Sequence, residues 1–126
     1  MKNLSLFYFF KKILYSRIAD LHCMKMVDNG IHEHFLLLLK KHNGQEGDLR
    51  LQHAVLSALR NLAIPAPNKA LILKAGALDV LTPMISMCTL TVAFKLLACL
   101  RMLVDGQGEF LSCFLLIVLK NFFNDY

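Results

Sequence analysis

Apolar side chains recur every three or four residues through the middle of this chain. Leu51, Val55, Leu59 and Leu62, joined by Ala58, fall on one helix face, while Arg50, His53, Ser57, Arg60 and Asn61 gather on the other. That division predicts an amphipathic helix from Leu49 to about Ala63, with Asp48 as its N-cap and Pro65 and Pro67 barring its continuation. Upstream, Asp20 to Val27 reads as a short helix that ends at Asp28-Asn29-Gly30, where glycine can take the left-handed conformation favoured past a helix C-terminus. The apolar run Phe35 to Leu39 sits in a helix from Ile31 to Lys41, with Lys40 and Lys41 complementing the dipole of its last turn. Asn43 to Gly47 is a loop by composition. Downstream the order returns: a short helix from Asn68 to Lys74, then Gly76, then a helix from Ala77 to about Met87 that Pro83 should kink or shorten at its start, then a long helix from Leu90 to Val104. No segment sustains a period of two, so no sheet is expected.

The same message is written twice. Gly30 and Gly76 are 46 residues apart, and Leu59-Arg60-Asn61-Leu62 lies 41 residues before Leu100-Arg101-Met102-Leu103. The polar loop Lys40 to Asp48, which the second copy lacks, absorbs the difference. A period of roughly 40–47 residues with two or three helices per unit marks an armadillo or HEAT array. The expected fold is therefore an all-α armadillo solenoid of about two repeats, residues 17–64 and 65–105, read as a fragment of a longer array. Composition agrees: the chain is 56% apolar and 18% charged, against about 25% charged in ordinary soluble proteins. Solenoid repeats bury their apolar faces against neighbours, so a short stretch shows core faces at its ends.

Residues 1–16 and 106–126 match neither copy. The apolar run Leu4 to Phe10, closed by Lys11-Lys12, has the outline of a signal peptide but no small-residue cleavage site after it. Phe110 to Leu119 is about half of what a membrane span needs, so no stable membrane insertion is expected. The Phe, Leu, Ser and Tyr of the leader have pyrimidine-rich codons, and Gly108-Glu109-Phe110 can be encoded across a splice-donor sequence, so translated intron is one expected origin of the two ends and genuine sequence the other.

Net charge is +5, of which residues 1–19 hold +4 and the repeats +2, with −1 in the tail. No basic stripe with interleaved aromatics appears, so nucleic acid is not an expected partner. Cys23, Cys88, Cys99 and Cys113 form no C-x-x-C pair and read as small buried hydrophobes in a reducing compartment, the cytosol.

The stretch Met26 to Ile31, the long-helix motif Leu51-Gln52-His53-Ala54-Val55-Leu56-Ser57-Ala58-Leu59-Arg60-Asn61-Leu62-Ala63-Ile64-Pro65 and the later Phe94 to Leu103 closely resemble the smgGDS family, the armadillo-repeat GDP-dissociation stimulators of Rho- and Ras-family small GTPases. The resemblance covers about residues 20–107. It implies guanyl-nucleotide exchange stimulated by protein–protein binding, partners that include prenylated GTPases with basic tails, and a cytosolic location extending to nucleus, endoplasmic reticulum or mitochondrion. Armadillo long helices commonly carry a tryptophan and, four residues later, a groove-lining asparagine. Those positions are Ser57 and Asn61 in the first copy, Ala98 and Met102 in the second. The departure argues against importin-like capture of an extended peptide by this segment.

Other chemistry has little foothold. His32-Glu33-His34 puts two histidines at i and i+2, which do not share a helix face, and the H-E-x-x-H pattern is absent. No metal site or cofactor is expected, and the histidines read as surface residues. Neither a nucleophile elbow nor a phosphate-cradling glycine loop is present, so the chain is not expected to be an enzyme. The candidate partner-binding residues are Arg50, His53, Ser57, Arg60 and Asn61 of the first long helix, aligned with Lys95 and Arg101 of the second. An arginine and asparagine cluster can bond carboxylates and backbone of a docked protein. That face is basic, whereas basic GTPase tails want an acidic groove; the acidic patch is expected in repeats outside this chain. Two readings stand beside the exchange stimulator: a non-catalytic armadillo scaffold, and an inactive truncated isoform.

Overall fold

The computed structural model describes residues 18–44 and 46–124, and the leader 1–16 lies outside them. The described residues form seven helices and no strand: α1 through residues 18–28, α2 Ile31–Lys41, α3 Leu49–Leu62, α4 Ala66–Lys74, α5 Ala77–Met84, α6 Leu90–Val104 and α7 Glu109–Asn124. The all-α reading holds, and the duplicated order is visible in the backbone. Gly30 joins α1 to α2 at φ 81°, and Gly76 joins α4 to α5 at φ 94°. A side chain there would crowd its own carbonyl, which costs about 1–2 kcal/mol. Equivalent helices then stack in register: α2 packs on α5, and α3 packs on α6 more extensively than any other pair. The second and third helices of the first copy thus each meet their counterpart one repeat along, as solenoid stacking requires.

The core follows from that stacking. Leu56 and Leu59 of α3, Ile72 of α4, Leu81 of α5 and Leu96, Leu100 and Leu103 of α6 are almost wholly shielded from water. On α3 the buried arc is wider than the spacing predicts and is turned by part of a residue step. Leu51 and Ala58 are half-buried, whereas Gln52 and Leu56 are fully buried. The cause is that α3 is covered by α2 on one side and α6 on the other.

Proline placement also corrects two boundaries. Helix α5 starts at Ala77 as expected but stops at Met84 rather than about Met87, so its end and not its start is shortened, with Pro83 in its last turn. Pro83 offers no N–H and crowds the carbonyl four residues back, and the chain turns off through Met87 N to Met84 O at 3.1 Å and Cys88 N to Met84 O at 2.9 Å. Helix α4 begins at Ala66, two residues early, because Pro67 falls in its first turn. There an N–H has no helical partner anyway.

Side chains fasten the ends of the long helices. The Asp48 carboxylate accepts from Arg50 N at 3.0 Å and Leu51 N at 3.3 Å, as an N-cap should. Gln52 reaches back from inside α3 to donate to His42 O at 2.6 Å and Gly44 O at 2.9 Å, which ties down the loop between α2 and α3. Gly47 lies so close that a Cβ would collide with the His42 carbonyl. Helix α4 then grips two C-termini with adjacent residues: buried Asn68 donates to Leu62 O at 2.8 Å, and Lys69 donates to Met102 O at 2.9 Å. A cation at the end of α6 also meets the negative end of that helix dipole.

Residues 106–126 were expected to be foreign to the repeats. Most of them form α7, which packs on α6 through Phe114, Leu115 and buried Val118 while leaving Leu116 and Ile117 exposed. Cys113, expected to be buried, is exposed on this helix; Cys88 and Cys99 are buried as anticipated, and Cys23 is half-buried.

Candidate functional site

Because α3 and α6 are counterparts, the faces they turn away from the core run side by side. Neither Leu49–Leu62 nor Leu90–Val104 contains an acidic residue, while the pair carries Arg50, Arg60, Lys95 and Arg101. Acids sit on other helices, such as Glu33 on α2, Asp79 on α5 and Glu109 on α7. Among the described residues the one ion pair joins Lys69 to Asp105 at 3.9 Å, so all four of these cations are free of carboxylate partners.

The structure divides the candidate residues between two cavities. Arg50 and His53 line one of about 490 Å³ where the N-terminal ends of α3 and α6 converge, together with Leu49, Thr89, Thr91 and Val92. Arg60 and Arg101 line another of about 300 Å³ near the C-terminal ends, with Ala98, Met102 and Asp105. Ser57 and Lys95, both half-buried, lie outside the linings of these two cavities. Asn61 is exposed and also lies outside both linings; its backbone oxygen accepts from Cys23 Sγ of α1 at 3.7 Å. Arg60 and Arg101 are thus brought together across the helix pair, and Asn61 is not brought to them.

Sequence reasoning passed over Thr89, Thr91, Lys69 and Asp105. Thr89 had a signal, because a threonine immediately before an apolar periodic run is an N-cap candidate. It is the N-cap of α6, although its side chain makes no capping bond and its hydroxyl oxygen is buried without a partner. Lys69 and Asp105 had none, since they meet only through the packing of α4 on the end of α6.

The other titratable groups are explained by packing. His32 was expected on the surface but is buried, with its Nδ1 unpartnered, whereas His34 is exposed two residues on. Burial pushes the Cys99 thiol up to about 12, against the opposing pull of the Arg60 charge. Burial also raises Cys88, and raises Cys23 with help from Asp20. A thiol held neutral is a poor nucleophile. Among the described residues no helix is long and apolar enough to cross a membrane.

The chain is similar to proteins whose names state an activity. It is 49% identical over 91 residues to the GTPase-GDP dissociation stimulator vimar of Drosophila melanogaster, covering 72% of this chain and 14% of that protein. It is 47% identical over 90 residues to the Rap1 GTPase-GDP dissociation stimulators 1-A and 1-B of Xenopus laevis, covering 71% of this chain and 15% of each of those. The resemblance to GDP-dissociation stimulators read from the sequence is thereby borne out, for a chain that spans about one seventh of these relatives' length. No family model matches the chain, and no solved structure matches it significantly.

Proposed function

We propose that this chain regulates small GTPases of the Rho and Ras families, including prenylated members with basic tails, by docking through the joint face of α3 and α6 and promoting release of GDP. The observation that carries this reading is its near-half identity to proteins named as GTPase-GDP dissociation stimulators. The physical requirement is differential binding. A protein that binds the nucleotide-free GTPase more tightly than the GDP-bound form must, by linkage, weaken GDP by the same factor. No covalent step and no nucleotide site on this chain is needed, and the work is done in the cytosol.

The test is release of fluorescently labelled GDP from a Rho-type GTPase, prenylated and unprenylated, with and without the chain. Faster release that rises with chain concentration and saturates is the expected result. Binding of the GTPase with an unchanged release rate would replace this reading with that of a scaffold. Absence of binding would overturn both for this stretch of the molecule.

A further inference from the structure

We infer that the α3–α6 face receives an extended acidic segment of a protein partner, with carboxylates entering the two cavities at its ends. This rests on the reading of that face as a docking surface and adds the chemistry of what docks there. A segment that is basic, like the tails expected of the GTPase partners, is the wrong sign for it.

Three observations lead to this. Both helices lack any acidic residue over their whole length, and their four cations are free of carboxylate partners among the described residues. Ordinary solvated helix faces mix the two signs and pair them along the helix. The cations are also concentrated at the seam's ends: Arg50, beside His53, lines the cavity at the N-terminal ends of the helices, and Arg60 and Arg101 share the other. Asp105 lines that second cavity too, but its carboxylate leans toward Lys69 at 3.9 Å. Two arginines lining one cavity suit a carboxylate, which can accept paired N–H groups from a guanidinium in a charge-assisted geometry. The N-terminal cavity adds a positive helix end, because α6 starts there with no side-chain cap.

The spacing sets the register of the guest. Arg50 and Arg60 are ten residues apart on one helix, or about 15 Å at 1.5 Å per residue. An extended chain covers that distance in about four or five residues. Successive side chains of an extended chain alternate sides, so carboxylates four positions apart, as the inner members of two Glu-Glu pairs are when the pairs start five residues apart, reach both cavities, while a contiguous acidic run reaches one.

The experiment compares three end-blocked, fluorescein-labelled peptides on the full chain by fluorescence anisotropy. One carries two Glu-Glu pairs whose starts are five residues apart, one carries the four glutamates contiguously, and one replaces all four by lysine. The expected result is that the spaced peptide binds about tenfold tighter than the contiguous one, the difference one charge-assisted hydrogen bond makes, and loses affinity with salt. Arg60→Gln with Arg101→Gln should abolish the preference for the spaced peptide, and Arg60→Lys with Arg101→Lys should restore part of it. Arg60 and Arg101 are exposed, so unchanged helical signal and melting accompany these variants. Equal binding of the two acidic peptides, tighter binding of the lysine peptide, or affinity indifferent to these substitutions would overturn the inference. The two readings fail separately. Accelerated GDP release without acidic-peptide binding sinks this inference alone, and acidic-peptide binding without accelerated release sinks the exchange reading alone.

Discussion

Helices α3 and α6 occupy the same place in successive repeats, yet they are held in different ways. Helix α3 is amphipathic and is fastened by polar groups at both ends: Asp48 and Gln52 at its start, Asn68 at its finish. Helix α6 buries more residues, including Val92, Ala93, Leu96, Cys99, Leu100, Leu103 and Val104, and its start has no side-chain bond. Its one polar fastening is the distant Lys69. The difference follows from surroundings. Helix α6 lies among α3, α4, α5 and α7, so apolar contact surrounds it, whereas α3 borders a polar loop that must be tied down. A repeat thus conserves the backbone path and the stacking while each copy secures its ends with whatever its neighbours offer.

The largest effect should come from the shared feature of the two helices. Leu59→Ala and Leu96→Ala each leave a cavity at a fully buried position, and each should lower unfolding free energy by about 2–5 kcal/mol. Urea denaturation followed by circular dichroism checks this. Helix α6 is enclosed on more sides and can collapse less, so Leu96→Ala should be the costlier; a markedly greater loss at Leu59 would break the comparison as drawn.

The α4 clamp comes next. Asn68→Ala strands the Leu62 carbonyl in a buried place and should cost about 1–3 kcal/mol. Lys69→Met keeps the apolar stem and removes the donor, so its cost should be smaller and confined to the α6 end. Amide hydrogen exchange should then show fraying near Met102 and none near Leu62. Fraying at both ends would mean that α4 acts as a whole rather than residue by residue.

The N-caps sharpen the contrast further. Asp48→Ala removes two bonds to backbone N–H groups and should cost about 1 kcal/mol. Thr89→Ala removes a buried hydroxyl that has no partner and should leave the melting temperature unchanged or slightly raised. Equal losses at the two positions would show that Thr89 caps α6 after all.

The smallest effects concern the cysteines. At pH 8 a water-soluble alkylating reagent should modify Cys113 readily and leave Cys88 and Cys99 protected in the native chain, which peptide mass mapping reads directly. The Cys99 thiol stays neutral when folded up to about 12, against an ordinary value of 9.0. Above that ordinary value the unfolded chain binds fewer protons than the folded one, so this contribution to stability is full below about pH 9 and falls away toward 12. Cys99→Ala should make that alkaline decline shallower.

What sequence reasoning could see was whatever depends on a residue and its near neighbours. The left-handed joints at Gly30 and Gly76, the cap at Asp48, the stop at Pro65 and the duplicated helix order all come from local backbone sterics and helical periodicity. It also marked Arg50, His53, Arg60 and Arg101 as the outward residues of the long helices. It misjudged what depends on the arrangement of neighbours: the burial of His32, the half-burial of Leu51 and the exposure of Cys113; and it passed over the buried Gln52.

The sequence by itself determined that this chain would build two copies of one helical unit, because periodicity and glycine placement act over a few residues and need no partner. Only the tertiary structure decided which of the outward residues meet. Arg60 and Arg101 share a cavity because α3 stacks on α6, the Asn61 carbonyl meets Cys23 of α1, and Lys69 closes the end of α6 from 33 residues away. Those relations depend on how helices rotate and slide when their apolar faces interlock, which is set by all the facing side chains at once and by no single stretch of chain.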